Sequence, residues 1–319
     1  MKVLVTGASG MLGRGVAQAL LARGDEVTVL QRRPAGLDTR EVLGNIDDAN
    51  TVDRAAAGCE AVVHLAAKVD VVGPWSEYAR ANVEGTRTVV HACTQSGVRR
   101  LVHVSSPSVA HAGRSLVGVG AGPADPTRAR GSYARSKAMA EQLALAADGP
   151  DLAVLVMRPH LVWGPGDTQL VGRIIDRARA GRLPVIGTGA ALIDTTYVDN
   201  SVDALLAALD GPVHGEALVV SNGEPRPVGE VLRRLCAAAG VPAPSRHVPL
   251  PLARAAGAVV EGVWSVRRRR DTPPLTRFLA EQLATAHWFD QRRTHEALGW
   301  TPRVTLDAGF LALAAHHGR

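Results

Sequence analysis

In GSYARSKAMAEQLA, residues 131–144, Tyr133 and Lys137 stand four residues apart. A helix places side chains at i and i+4 on one face, one above the other. Both types are scarce here. The tyrosines are Tyr78, Tyr133 and Tyr197, and the lysines are Lys2, Lys68 and Lys137 in a chain whose other basic residues are all arginine. A free phenol, with a pKa of about 10, exchanges its proton slowly near neutrality, and a neighbouring ammonium lowers that value. A compact, rotatable ammonium also suits a ribose hydroxyl better than a planar guanidinium does. Ser106, closing LVHVSS (101–106), can hydrogen-bond a substrate oxygen. Together these groups suit hydride transfer to or from a carbonyl. The plain alternative is a chance pair on an exposed helix, and the scarcity of lysine speaks against it.

Such chemistry needs a cofactor site, and VTGASGMLG (5–13) offers one. Gly7, Gly10 and Gly13 are spaced G-x-x-G-x-x-G between a strand and a helix, with Ser9, Met11 and Leu12 among them. Glycines allow a tight turn and close approach of a pyrophosphate to the helix N-terminus. At the end of the second strand, where an acid would hold the 2′-hydroxyl of NAD, stand Gln31, Arg32 and Arg33. Guanidinium groups suit a 2′-phosphate, so NADP(H) is favoured and NAD(H) stays open.

The elements that must position these groups are short β-branched runs alternating with helices. KVLVT (2–6), EVTVL (26–30), AVVHLAA (61–67), LVHVSS (101–106) and LAVLVMRP (152–159) read as strands. Helices are expected over 11–22, 76–96, 132–147 and 169–180. Nearly continuous apolar strands between helices imply a parallel sheet covered on both faces, and right-handed crossovers make it a doubly wound Rossmann-type α/β fold. Residues 1–160 form the NADP(H)-binding domain in this reading. Residues 161–319 form a smaller, mainly helical substrate lobe, with 190–220 returning to the sheet.

No run of 18 uncharged apolar residues is present, and MKVLVTG leads straight into a strand without a signal-peptide pattern. Cys59, Cys93 and Cys236 are far apart, and the histidines lack ligand spacing, so neither a disulfide framework nor a metal site is expected. A cytoplasmic monomer or homodimer is the expectation. The net charge of +6 comes from scattered arginines, with Arg267–Arg270 the only run, which argues for a solvated surface and not for nucleic acid. HVPLPLARAAGAVVEGVWSVRRRR (247–270) reads either as a helix of the substrate lobe or as an amphipathic contact with a membrane surface or pathway enzyme.

TGASGMLG, HLAA (64–67), NVEGT (82–86), SSPSV (105–109) and YARSK (133–137) resemble, in type and order, the extended short-chain dehydrogenase/reductases. RPHLVWGPGD (158–167), TTYVDN (195–200), SNGEP (221–225) and PLTRFLAEQLATAHWFD (274–290) resemble the 3β-hydroxysteroid dehydrogenase branch, and within it the bacterial reductases of 2-alkyl-3-oxoalkanoates. The resemblance implies Ser106, Tyr133 and Lys137 as the catalytic set. It places Ala66, Ala67, Lys68, Asn82 and Pro159 along the dinucleotide. The family's adenine-contacting acid is replaced by Asn45, followed by Ile46. Trp75, Ser108, His160 and Trp163 are the candidates to face a hydrophobic substrate. The implied activity is reduction of a long-chain 2-alkyl-3-oxoalkanoic acid to the 3-hydroxy acid. The alternatives are a 3β-hydroxysteroid or sterol dehydrogenase, a nucleotide-sugar epimerase or dehydratase, and, in another class, a non-enzymatic dinucleotide sensor.

Overall fold

The computed structural model describes residues 1–70, 73–110, 113–266 and 276–318. The Arg267–Arg270 run, the end of the 247–270 stretch and the start of the 274–290 motif lie outside the described residues. Seven strands form one all-parallel sheet in the order Glu216–Val220, Ala153–Pro159, Arg100–Val104, Ala61–His64, Lys2–Thr6, Glu26–Gln31, Arg40–Leu43. The chain order reverses between Lys2–Thr6 and Ala61–His64. In an open α/β sheet the crevice at such a reversal is where ligands bind.

Alternation along the strands explains why both faces are covered. Val3, Val5, Val63 and Val102 point to one side, against Val16 and Leu20 of the helix Met11–Ala22 and Leu205 of the helix Val198–Asp210. Leu4, Val62, Leu101 and Val154 point to the other, against Val52 of Ala49–Ala56 and Val89 and Cys93 of Gly85–Gln95.

Two features differ from expectation. The helix expected over 76–96 is interrupted: Trp75–Tyr78 leads into π-helical Ala79–Glu84, then Gly85–Gln95. The lobe also carries a four-stranded sheet ordered Arg226–Pro227, Leu192–Ile193, His287–Phe289, Leu116–Val119, so residues from the first half of the chain join it. Among the described residues no helix is long and apolar enough to cross a membrane.

Asp194 ties lobe to sheet. Its backbone N–H donates to the His287 carbonyl at 2.7 Å, and the Ser221 hydroxyl donates to its carboxylate at 2.6 Å. Burial pushes the carboxyl from 3.8 up to about 6. The folded chain therefore holds this proton longer than the unfolded chain. The associated stability is full below pH 3.8 and lost as pH rises through about 6, up to about 3 kcal/mol. Asp194→Asn, which keeps an acceptor for Ser221 without the charge, should flatten this part of the melting-temperature profile. Equal slopes for variant and wild type across pH 4–7 would refute it.

Candidate active site

The turn after Lys2–Thr6 separates what the protein needs of its glycines from what a ligand needs. Gly7 has φ +81°, and a Cβ there would lie 2.9 Å from the Ala66 nitrogen. A Cβ on Gly13 would lie 2.4 Å from the Gly7 carbonyl oxygen. Both are required by packing. Gly10 has neither reason: its φ is −86°, and a Cβ would meet only the Gly7 oxygen at 3.6 Å. Gly10 begins the helix Met11–Ala22, whose N-terminus has no side-chain cap and no acid in its first turn. Open space before free N–H groups at a positive helix end fits a pyrophosphate. Thr6 braces the opposite wall, its hydroxyl accepting from the Leu65 and Ala66 nitrogens at 3.1 Å each.

At the adenosine end, Arg32 and Arg33 are exposed beyond Gln31. An acid that strand-end reading missed approaches from the neighbouring strand. Glu41 accepts from the Gln31 side chain at 2.6 Å and the Ala35 nitrogen at 2.7 Å. Asn45 is exposed, and Ile46 is partly buried, its side chain occupying the space beside Gly85.

Tyr133 and Lys137 lie on the helix Gly131–Leu145, which follows the strand carrying Val104 and the Ser105–Ser106 turn. Ser105 is buried, its nitrogen donating to the Met157 carbonyl at 2.7 Å. Ser106 instead meets the phenol. Burial raises the Tyr133 pKa, and a hydrogen bond with Ser106 opposes the rise. Ser108 stands behind, its hydroxyl and nitrogen donating to the Ser106 oxygen at 3.0 and 3.3 Å. With its lone pairs so engaged, Ser106 has its own proton to give forward. Lys137, 4% exposed, donates to the Val104 carbonyl at 2.6 Å, and burial lowers its pKa to about 8.

Asn82, within the π-helical turn, works through backbone. It accepts from the Lys68 nitrogen at 2.7 Å and donates to the Lys68 carbonyl at 3.1 Å and the Ser136 hydroxyl at 2.8 Å. Ser136 donates in turn to the Tyr133 carbonyl at 2.8 Å. The loop holding Ala66 and Ala67 is thus pinned to the helix that carries the phenol. The Lys68 ammonium faces Asp70 at 2.8 Å and Glu77 at 3.1 Å.

The substrate-facing candidates separate. Pro159 and His160 are buried at the sheet's carboxyl edge, with the His160 ring edge-on to Phe289 at 4.9 Å. Trp163 is a correction: it is 1% exposed, stacks on Phe310 at 4.7 Å and donates to Thr195 at 3.0 Å, so it packs the core. Trp75 is another. It lies beneath the Arg135 guanidinium in a groove lined by Ser132 and Met139, on the helix face turned away from Tyr133 and Lys137.

A family model described as the NAD dependent epimerase/dehydratase family matches residues 3–221. A 2-alkyl-3-oxoalkanoate reductase of Stenotrophomonas maltophilia (strain K279a) is 40% identical, over 99% of this chain and 99% of that protein. A 3-beta-hydroxysteroid dehydrogenase of Mycolicibacterium neoaurum is 30% identical, over 96% and 88%. The solved structure of MoeE5 in complex with UDP-glucuronic acid and NAD matches with a TM-score of 0.76 and 28% identity, over 100% of this chain and 99% of that one.

Proposed function

The chain belongs to the NAD-dependent epimerase/dehydratase family of extended short-chain dehydrogenase/reductases and is an NAD(P)-dependent oxidoreductase, and on that premise we propose that it reduces the 3-oxo group of a long-chain 2-alkyl-3-oxoalkanoic acid, preferring NADPH. The observation that carries the substrate is the 40% identity, end to end, with a protein of that activity. Gly7, Gly10 and Gly13 would hold the dinucleotide, which would supply the hydride when bound. Tyr133 gives its proton to the carbonyl oxygen as negative charge develops there, and Ser106 donates a second hydrogen bond to that oxygen. Burial keeps the phenol protonated at rest, the form that reduction requires. Lys137 faces the phenolate that remains and stabilises it.

The test is a panel of 3-oxo acids and 3β-hydroxysterols, each with NADPH and NADH. Each buried methylene contributes about 0.8 kcal/mol, so kcat/KM should rise by about fourfold per carbon until the pocket is full. A flat profile would remove the long-chain substrate. The second reading, oxidation of a 3β-hydroxysterol with NAD, is favoured by the Mycolicibacterium relative; turnover of sterols alone would select it.

A further inference from the structure

Tyr133, Lys137 and Glu141 follow one another at i, i+4 and i+8, forming a single stripe on the helix Gly131–Leu145. Glu141 is fully buried, and so is its partner Arg158, the penultimate residue of the strand Ala153–Pro159. The pair is forked: Arg158 Nε donates to Glu141 Oε2 at 2.9 Å, and Nη2 donates to Oε1. Two further guanidinium protons go to the carbonyls of Ala121 and of Gly122, the latter at 3.0 Å. We propose that Glu141, fixed by Arg158, is the positioning residue that keeps the Lys137 ammonium charged and directed toward the Tyr133 end of the helix.

Replacing a buried ion pair by apolar side chains is often neutral or stabilising, so stability does not by itself explain a pair at this depth. Its placement does. A free carboxylate one turn below an ammonium would draw the ammonium down onto itself. Here both carboxylate oxygens are engaged by Arg158, and Lys137 donates instead to the Val104 carbonyl at 2.6 Å, beside the Ser105–Ser106 turn. Glu141 therefore acts on Lys137 through its field without capturing it. The other groups facing Lys137 cannot take over this role. His103 on its strand and His64 on the next are both buried and held neutral, His64 by a pKa lowered to about 3. Tyr133 is protonated at rest, and the charge of Arg158 is matched by Glu141. Burial alone drives Lys137 downward, and Glu141 is the charge that opposes it.

This rests on the reading of Tyr133 and Lys137 as the proton-handling pair, yet its test does not need turnover. The chain has three lysines, so a lysine-labelled sample of the full protein gives three side-chain ammonium titrations by NMR. Lys2→Arg and Lys68→Arg assign them. Glu141→Gln should lower the Lys137 midpoint by about one unit or more and leave the other two in place. Because that variant strands Arg158, Glu141→Gln combined with Arg158→Met removes both charges and should show a displacement in the same direction but smaller, since the Arg158 repulsion goes with it. The alkaline limb of kcat should move to lower pH with it. An unmoved Lys137 midpoint in the folded double variant would overturn the proposal and leave the pair as packing. A chain that reduces no 3-oxo acid but shows the displaced midpoint would fail the functional reading alone.

Discussion

Tyr133→Phe is expected to reduce turnover by about 10²–10⁴-fold while leaving NADPH binding within about twofold. The phenol is the acid that stands beside Ser106, at the carboxyl edge of the sheet. Phenylalanine fills the same space, and the helix Gly131–Leu145 keeps its link to Asn82, because that link uses the Tyr133 carbonyl and the Ser136 hydroxyl. The loss should therefore appear in kcat, with little change in cofactor affinity. Lys137→Arg should fail as well, although it keeps the charge. The site is 4% exposed and gives the ammonium one carbonyl acceptor, whereas a guanidinium would bring five donors into it. Titrating NADPH by fluorescence and following its oxidation separates the two quantities. Wild-type turnover in Tyr133→Phe would end the proposed proton transfer.

Much of this arrangement is legible in the chain because it is local or periodic. The strands show themselves by alternation, and Tyr133 and Lys137 by spacing and rarity. What escaped depends on partners distant in sequence. Leu116–Val119 pairs with His287–Phe289, a contact with no signature in either segment. Glu41 reaches Gln31 across a strand pairing in which neither residue signals the other. Trp163 and Trp75 are candidates by residue type alone, and type does not tell a core face from an outer one. Glu141 carries a signal in the chain, an acid four residues past the lysine on the same helix stripe. Asn82 was found by resemblance, but its task, holding Lys68 to Ser136, belongs to the fold. The glycines show the same division. Spacing identified all three, and only the packing around them shows that Gly10 alone is free for a ligand.

Replacing Arg32 and Arg33 together by alanine should raise the NADPH dissociation constant by about 100-fold and that of NADH by no more than a few-fold. Charge-assisted hydrogen bonds contribute roughly 1.5–3 kcal/mol each, and the lower end applies because both arginines are exposed to screening solvent. Two at about 1.5 kcal/mol give the hundredfold. Glu41 is drawn toward Gln31 and the Ala35 nitrogen through Oε1, whereas Arg32 and Arg33 are exposed and placed to meet a 2′-phosphate. Salt provides an independent check. Raising ionic strength should weaken NADPH binding more than NADH binding in the wild type, and this difference should vanish in the double variant. Glu41→Gln separates the two cofactors from the other side: it should not improve NADPH binding if Glu41 only braces the strand. A wild type that already prefers NADH would reduce Arg32 and Arg33 to surface charges. It would also move the reading toward an NAD-dependent sterol oxidation, because the arginines are what favour a phosphorylated ribose at the end of the second strand.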